Sequence, residues 1–221
     1  MENIISSTSG SDVGSATATF RSGDLLLGIV QRAKVSGKHT RIVLAGKGEL
    51  AILPALGVYY TNTQDLTEFC RTPAMQFEVS EFGEEALPYE PGSKKNLNEL
   101  LWQIAFHASQ GRLIEGCSKY DVVKFRHWPN LTRLPITPNT ARICALLTRN
   151  QTTIMLVHRV LGIDKEEVYQ IYSAASSAGL CHKIGSNLES ANAEADLLAN
   201  QPQPAKEHSL FRSLFAKISG L

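Results

Sequence analysis

The sequence lacks an excess of either charge, a long apolar run and any close pair of cysteines. Its 22 Lys and Arg residues face 21 Asp and Glu residues, and the net charge of +1 offers no general attraction for nucleic acid. No apolar run approaches the roughly 20 residues of a bilayer-spanning helix, so we expect a cytoplasmic protein with at most weak peripheral contact with membranes. The four scattered cysteines, Cys70, Cys117, Cys144 and Cys181, predict reduced thiols.

The spacings that hold a metal or build a catalytic site are missing as well. The six histidines form no HxH or HExxH pair. Gly46-Lys47-Gly48 lacks the frame of a phosphate-binding loop, and we interpret it as a hairpin turn. His107 lies on an apolar helix pattern, where a lone histidine is more often a core residue than an acid–base group. The sequence therefore predicts a protein that is not an enzyme, with no catalytic residue, cofactor or metal.

Hydrophobic periodicity predicts an α+β fold between two flexible ends. Residues 1–19 hold few large apolar side chains and predict a disordered arm. Residues 20–90 predict a small mixed domain of one helix and a β-meander. Its predicted elements are a helix from Asp24 to Ser36, strands at 40–44, 49–53, 57–61 and 75–79, and a short helix at 65–70.

A joining region and a second domain follow. Residues 91–135 predict a helix with apolar residues from Leu97 to Ala108 and a strand at 122–125. Residues 136–183 predict a winged-helix-like domain of three short helices, starting at Thr137-Pro138, near Thr152 and at Asp164. Asp164 with Glu167 three residues later matches an acidic variant of the capping box. Residues 184–206 predict a linker.

The last segment, residues 207–221, predicts an amphipathic helix. One face of that helix would carry five apolar side chains, Leu210, Phe211, Leu214, Phe215 and Ile218. A helix of this length is marginal alone in water, so its apolar face needs a partner. The sequence leaves three partners open: the protein itself, a groove on another protein and a membrane surface.

Trp128 and Pro129 stand in an irregular stretch between the two predicted domains. A tryptophan beside a proline in such a position often packs between structured parts, so we predict a buried indole that fixes the domain joint. A recognition surface is the alternative. The surrounding residues 91–135 carry seven basic side chains against three acidic ones, a local excess that suits a solvated face, an acidic protein or a phosphate group.

The three-helix pattern raises the alternative of a helix-turn-helix transcription regulator that binds DNA. The predicted reading helix begins Asp164-Lys165-Glu166-Glu167, which places three carboxylates where phosphates would lie. Without clustered Lys and Arg, even nonspecific affinity for DNA is expected to be low. The sequence therefore favours protein contact over nucleic acid.

The order of these elements resembles a known bacterial domain. Residues 141–147 (ARICALL), Leu161-Gly162-Ile163 and Ala178-Gly179-Leu180, behind the helix-plus-meander region, resemble the domain of unknown function of PatA-type response regulators and of stand-alone bacterial proteins. The likeness spans residues 20–182, without the receiver domain of such regulators. It implies a non-enzymatic signalling adaptor or scaffold that binds protein partners, in some contexts in motility or small-GTPase systems. The oligomeric state and the partner stay open.

Overall fold

The computed structural model describes residues 17–63, 65–83 and 94–186. The predicted arm up to residue 16, the loop predicted at 84–93 and the segment from 187 onward lie outside these residues. The apolar face of the predicted C-terminal helix, Leu210 to Ile218, therefore stays a prediction. Two predicted boundaries need correction, because Thr19 already pairs in a strand and the last strand continues to Ser186.

The N-terminal lobe is a five-stranded antiparallel sheet with helices against one face. The elements are β1 (Thr19–Phe20), α1 (Leu26–Ser36), β2 (Thr40–Leu44), β3 (Gly48–Leu53), β4 (Val58–Thr61), α2 (Leu66–Arg71), β5 (Glu78–Glu81), β6 (Lys95–Asn96) and α3 (Leu97–Ser109). The strand order in the sheet is β5-β2-β3-β4-β6.

The predicted meander is confirmed in this lobe, with one displaced strand. α1 ends at Gly37 in the left-handed conformation, and the side chain of Asp65 caps α2. The strand predicted at 75–79 lies at 78–81 instead, because Ala74–Gln76 form a turn of 3-10 helix. That turn carries Phe77 into the core, where its ring lies 5.6 Å from that of Phe69.

The C-terminal lobe combines three helices with a three-stranded antiparallel sheet. The elements are β7 (Leu113–Ile114), β8 (Asp121–Phe125), α4 (Thr140–Arg149), β9 (Thr152–Thr153), α5 (Ile154–Leu161), α6 (Lys165–Ser177) and β10 (Cys181–Ser186). The strand order in the sheet is β10-β8-β9, and the short strand β7 pairs in parallel with β1. The mixed α+β architecture predicted from the sequence is confirmed. No helix in the described residues is both long and apolar enough to cross a bilayer.

The predicted capping box at the start of α6 is wrong. Asp164 occupies the cap position but makes no side-chain cap bond. Glu167 points instead to the start of α4, where its carboxylate accepts the backbone N–H of Asn139 at 2.7 Å and the side-chain amide of Asn139 at 2.9 Å. Since α4 starts at Thr140, the charge of Glu167 meets the positive end of that helix. Glu167 therefore ties α6 to α4.

Replacing Glu167 by alanine should lower the free energy of unfolding by about 1–2 kcal/mol, because it removes charge-assisted hydrogen bonds. Partial burial acts to raise the pKa of Glu167, but hydrogen bonds from Thr137 and Asn139 and the charge of Arg142 lower it overall. A carboxyl whose folded pKa is depressed stabilises the fold above its unfolded pKa, and that contribution is lost as the pH falls through the folded value.

Urea denaturation at pH 7 and at stepwise lower pH measures the stability loss of Glu167→Ala and its dependence on pH. The stability difference between the wild type and Glu167→Ala should shrink below about pH 4.5, near the ordinary glutamate pKa. The exposed neighbour Glu166 is the matched control, because Glu166→Ala removes a carboxylate that has only a 4.0 Å ion pair with Lys165. Equal losses for the two variants would contradict the proposed tie.

Helix α3 belongs to both lobes. Its residues Leu101 and Ile104 lie in the N-terminal core, while Trp102 and Phe106 lie in the C-terminal core. Polar bonds reinforce this junction, since the side-chain amide of Gln170 on α6 donates to the carbonyl of Phe106 at 2.9 Å. The two lobes are therefore joined by a shared helix rather than by a linker.

The tryptophan that packs at this junction is Trp102, and the burial predicted for Trp128 is wrong. Trp102 is 1% exposed and donates its indole N–H to the carbonyl of Pro135 at 3.2 Å. Trp128 is 48% exposed, although the adjacent Pro129 is buried. The sequence pattern identified the loop that packs near α3 but not the side chain that fills the space.

Candidate functional site

The cysteines of the described chain are free, and most are held in their neutral form. Burial raises the pKa of Cys70 and Cys144 to about 12. Burial, followed by the neighbouring Cys117 and Asp121, raises the pKa of Cys181 to about 12. A thiol with so high a pKa is almost wholly protonated at neutral pH and is a poor nucleophile.

The histidines of the described residues serve local contacts or face solvent. Burial, assisted by the charge of Arg71, lowers the pKa of His107. The Nδ1 atom of His158 is hydrogen-bonded to the carbonyl of Ile163, and the ring of His39 lies 5.5 Å from that of Phe82. Across the described residues, no three His, Cys, Asp or Glu side chains converge as a metal site would require.

A buried polar network, which sequence reasoning missed, lies where β8 meets α6. Asp121 is fully buried, and its Oδ2 accepts the backbone N–H of Ser118 at 2.8 Å and the hydroxyl of Tyr172 at 2.9 Å. The ammonium group of Lys183 on β10 lies 2.7 Å from the Oδ1 atom of Asp121. The carboxylate is thus paired and hydrogen-bonded, which is the condition for burying such a charge.

This network is structural in its chemistry. Burial, followed by the neighbouring Cys117 thiol and the Asp121 carboxylate, raises the pKa of Tyr172 far above its ordinary value. The phenol therefore stays a hydrogen-bond donor rather than a base at neutral pH. With no solvent-exposed surface on Asp121 and 1% on Tyr172, a substrate has no access to either group.

A polar cleft of about 490 Å³ lies at the end of the N-terminal sheet. The turn at Gly46–Gly48 forms one wall, which confirms the hairpin turn expected there. Lys47 reaches across to Glu68 at 3.2 Å, and Asp65 is occupied in capping α2. The charged groups of the cleft therefore satisfy one another or the backbone.

Helix α6, the reading helix of the DNA hypothesis, is enclosed by its neighbours. Val168, Ile171 and Tyr172 lie in the C-terminal core. The backbone N–H of Ile114 on β7 donates to the side chain of Ser173, which is fully buried. Only the first turn of this helix, with Lys165 and Glu166, is exposed. The middle of α6 is therefore packed into the core of the C-terminal lobe.

The sheet of the C-terminal lobe presents one face to solvent. Val123 and Phe125 of β8 point into the core, so their neighbours Val122 and Lys124 point outward by the alternation of a strand. His182 of β10 stands directly opposite Lys124 and is exposed. We call this surface the outer sheet face; its members are Val122, Lys124, Arg126, His182 and Ile184.

The outer sheet face is basic and partly apolar. Lys124 and Arg126 are exposed, and the described carboxylates form no ion pair with them. Ile184 lies at a β-bulge between Lys183 and Gly185 and is 48% exposed. The acidic residue of the three strands, Asp121, is buried on the opposite side. Of the seven basic residues counted in 91–135 from the sequence, Lys124 and Arg126 belong to this face.

In comparisons with known proteins, the chain matches no family model, no curated protein and no solved structure. The resemblance to the domain of PatA-type response regulators therefore stays a prediction that depends on the sequence patterns alone.

Proposed function

We propose that this protein is a non-enzymatic bacterial signalling adaptor that binds a protein partner in the cytoplasm, with the C-terminal lobe as its contact surface. The observation that carries this proposal is the set of large apolar side chains exposed on that lobe. Such side chains are candidate contacts for a protein partner. The exposed residues are Trp128, Ile136, Leu156 and Ile184, between 42% and 55% exposed.

The enclosed α6 supports a protein partner over DNA. The order α4, β9, α5, α6, β10, with β8 between the two outer strands, supports a winged-helix-like description of this lobe. In a DNA-binding member of that type, the last helix must protrude, whereas here α3 and the core cover it. A small GTPase or another signalling protein, as the sequence resemblance implies, is the partner class we propose.

Photo-crosslinking in the cell of origin tests the adaptor function. A benzophenone amino acid at Ile184, and separately at Trp128, should give discrete protein adducts of fixed mass after illumination. The matched control is Val35 on α1, an apolar side chain of the other lobe that is 89% exposed. Adducts that contain nucleic acid would overturn the proposal, and so would the absence of protein adducts at both C-terminal positions.

A further inference from the structure

The outer sheet face carries a pattern that selects one chemistry of partner. Lys124 lies on β8, and Arg126 is the first residue beyond that strand, with its backbone N–H bonded to the carbonyl of Leu180 at 3.0 Å. A separation of two residues in extended backbone places their side chains about 7 Å apart on the same face. His182 stands beside Lys124 on the neighbouring strand. Such a row of donors matches carboxylates spaced two residues apart on another extended chain.

Among the residues that the structure describes, strand β10 lies at the edge of its sheet. It pairs with β8 on one side, and its residues from His182 to Ser186 are all exposed. An exposed edge strand presents N–H and C=O groups that can pair with a further strand. The apolar side chain of Ile184 projects from this same edge strand, so an added strand would meet both charge and apolar surface.

We propose that the outer sheet face and the edge of β10 bind an extended acidic segment of a partner protein. This inference rests on the adaptor function proposed above and specifies the chemistry of its partner. Carboxylates of the segment face Lys124, Arg126 and His182, and an apolar side chain further along the segment covers Ile184, which lies beyond His182 on β10. Main-chain hydrogen bonds along β10 fix the register. An extended segment can use both the charges and the strand edge, whereas a folded acidic surface could use the charges alone.

Nucleic acid and membrane are the competing occupants, and the geometry favours them less. Two exposed cations on the face would release few counterions from a phosphate backbone, so affinity for nucleic acid would be low. An anionic bilayer needs either a polybasic cluster or a larger apolar face than one isoleucine provides. A peptide strand uses the donors, the apolar side chain and the edge at once.

A fluorescence anisotropy titration tests the proposal on the full chain. The probe is a labelled ten-residue peptide that carries glutamates and one valine on one face of the extended chain, with threonine at the intervening positions. It is compared with the same peptide bearing lysine for glutamate, with a ten-residue oligothymidylate and with phosphatidylserine vesicles. The acidic peptide should bind, and its affinity should fall as salt is raised. Preferred binding of the oligonucleotide or of the vesicles would overturn the proposal, as would no binding of the acidic peptide.

Variants locate the binding. Lys124→Glu and Arg126→Glu should each weaken binding of the acidic peptide by about tenfold, the effect of roughly 1.4 kcal/mol at a charged contact. Arg32→Glu is the matched control, since Arg32 is an exposed arginine of α1 in the other lobe. An equal loss for Arg32→Glu would reduce the effect to net charge and overturn the assignment to this face.

A second probe tests the added strand. The same acidic peptide with N-methylated backbone on alternate residues keeps its carboxylates but loses main-chain donors, and it should bind at least about tenfold more weakly. Equal affinity would exclude pairing along β10. If photo-crosslinking at Ile184 yields protein adducts while the acidic peptide does not bind, the adaptor function stands and the acidic chemistry fails. If the acidic peptide does not bind and neither Ile184 nor Trp128 gives protein adducts, both fail.

Discussion

Trp102→Ala lowers the free energy of unfolding by about 3–5 kcal/mol, the largest loss we expect from a single apolar truncation in this chain. The indole is 1% exposed and sits in the C-terminal core on the helix that also serves the N-terminal core. Its removal leaves a cavity at the junction and takes the hydrogen-bond donor from the carbonyl of Pro135. Urea denaturation followed by far-ultraviolet circular dichroism measures the loss.

Trp128→Ala is the matched control for this prediction. The indole of Trp128 is 48% exposed, so its truncation should cost no more than about 1 kcal/mol. The two variants together also test the origin of the tryptophan fluorescence, because the blue-shifted emission should disappear with Trp102. A larger loss of stability from Trp128→Ala than from Trp102→Ala would refute the placement of the junction on α3.

Asp121→Ala produces the second large effect, a loss of about 2–4 kcal/mol in the free energy of unfolding, because buried donors lose their acceptor. The substitution leaves the hydroxyl of Tyr172 and the N–H of Ser118 without their acceptor, and it leaves Lys183 without its counter-charge. Glu115→Ala is the control, because that carboxylate pairs with Arg21 at the surface, 3.4 Å apart, where an ion pair contributes less than about 1 kcal/mol. Equal losses would show that the network does not stabilise the fold.

The same network makes the free energy of unfolding depend on pH in the alkaline range. Because the pKa of Tyr172 is raised in the folded state, its neutral phenol stabilises the fold below the unfolded tyrosine pKa of about 10, and that contribution is lost as the pH rises above it. Tyr172→Phe should lower stability by about 1–2 kcal/mol at pH 7 and should make the decline above pH 10 less steep than in the wild type. If stability above pH 10 declines as steeply in Tyr172→Phe as in the wild type, the decline originates from other tyrosines.

Local patterns explain why much of the fold could be predicted from the sequence. β2 is found at the predicted residues 40–44, and α5 ends at Gly162 as predicted. Both depend on short-range features, the spacing of apolar residues and a glycine that adopts a positive φ. α4 starts at Thr140 rather than at Thr137 because the hydroxyl of Thr140 accepts the N–H of Thr137, which holds a turn before the helix.

Distant pairings explain what the sequence could not predict. The carboxylate of Glu167 accepts the backbone N–H of Asn139, 28 residues earlier, instead of forming the predicted capping box with Asp164, three residues before it. The carboxylate of Asp121 accepts a hydrogen bond from the hydroxyl of Tyr172, 51 residues later, and the sequence around neither residue indicates that bond. The choice between Trp102 and Trp128 likewise depends on which indole the second core reaches. The one local signal of the buried polar network was Asp121, an isolated carboxylate at the start of an apolar strand.

The shared helix also determines how this chain can be recombined in longer proteins. A fusion boundary placed after Ser109 would strip Trp102 and Phe106 from the second core, and a boundary before Leu97 would open the first. Neither lobe can be inherited or transplanted without the other. Wherever the chain is embedded, the sheet of the first lobe and the outer sheet face of the second therefore come as one unit, connected through α3.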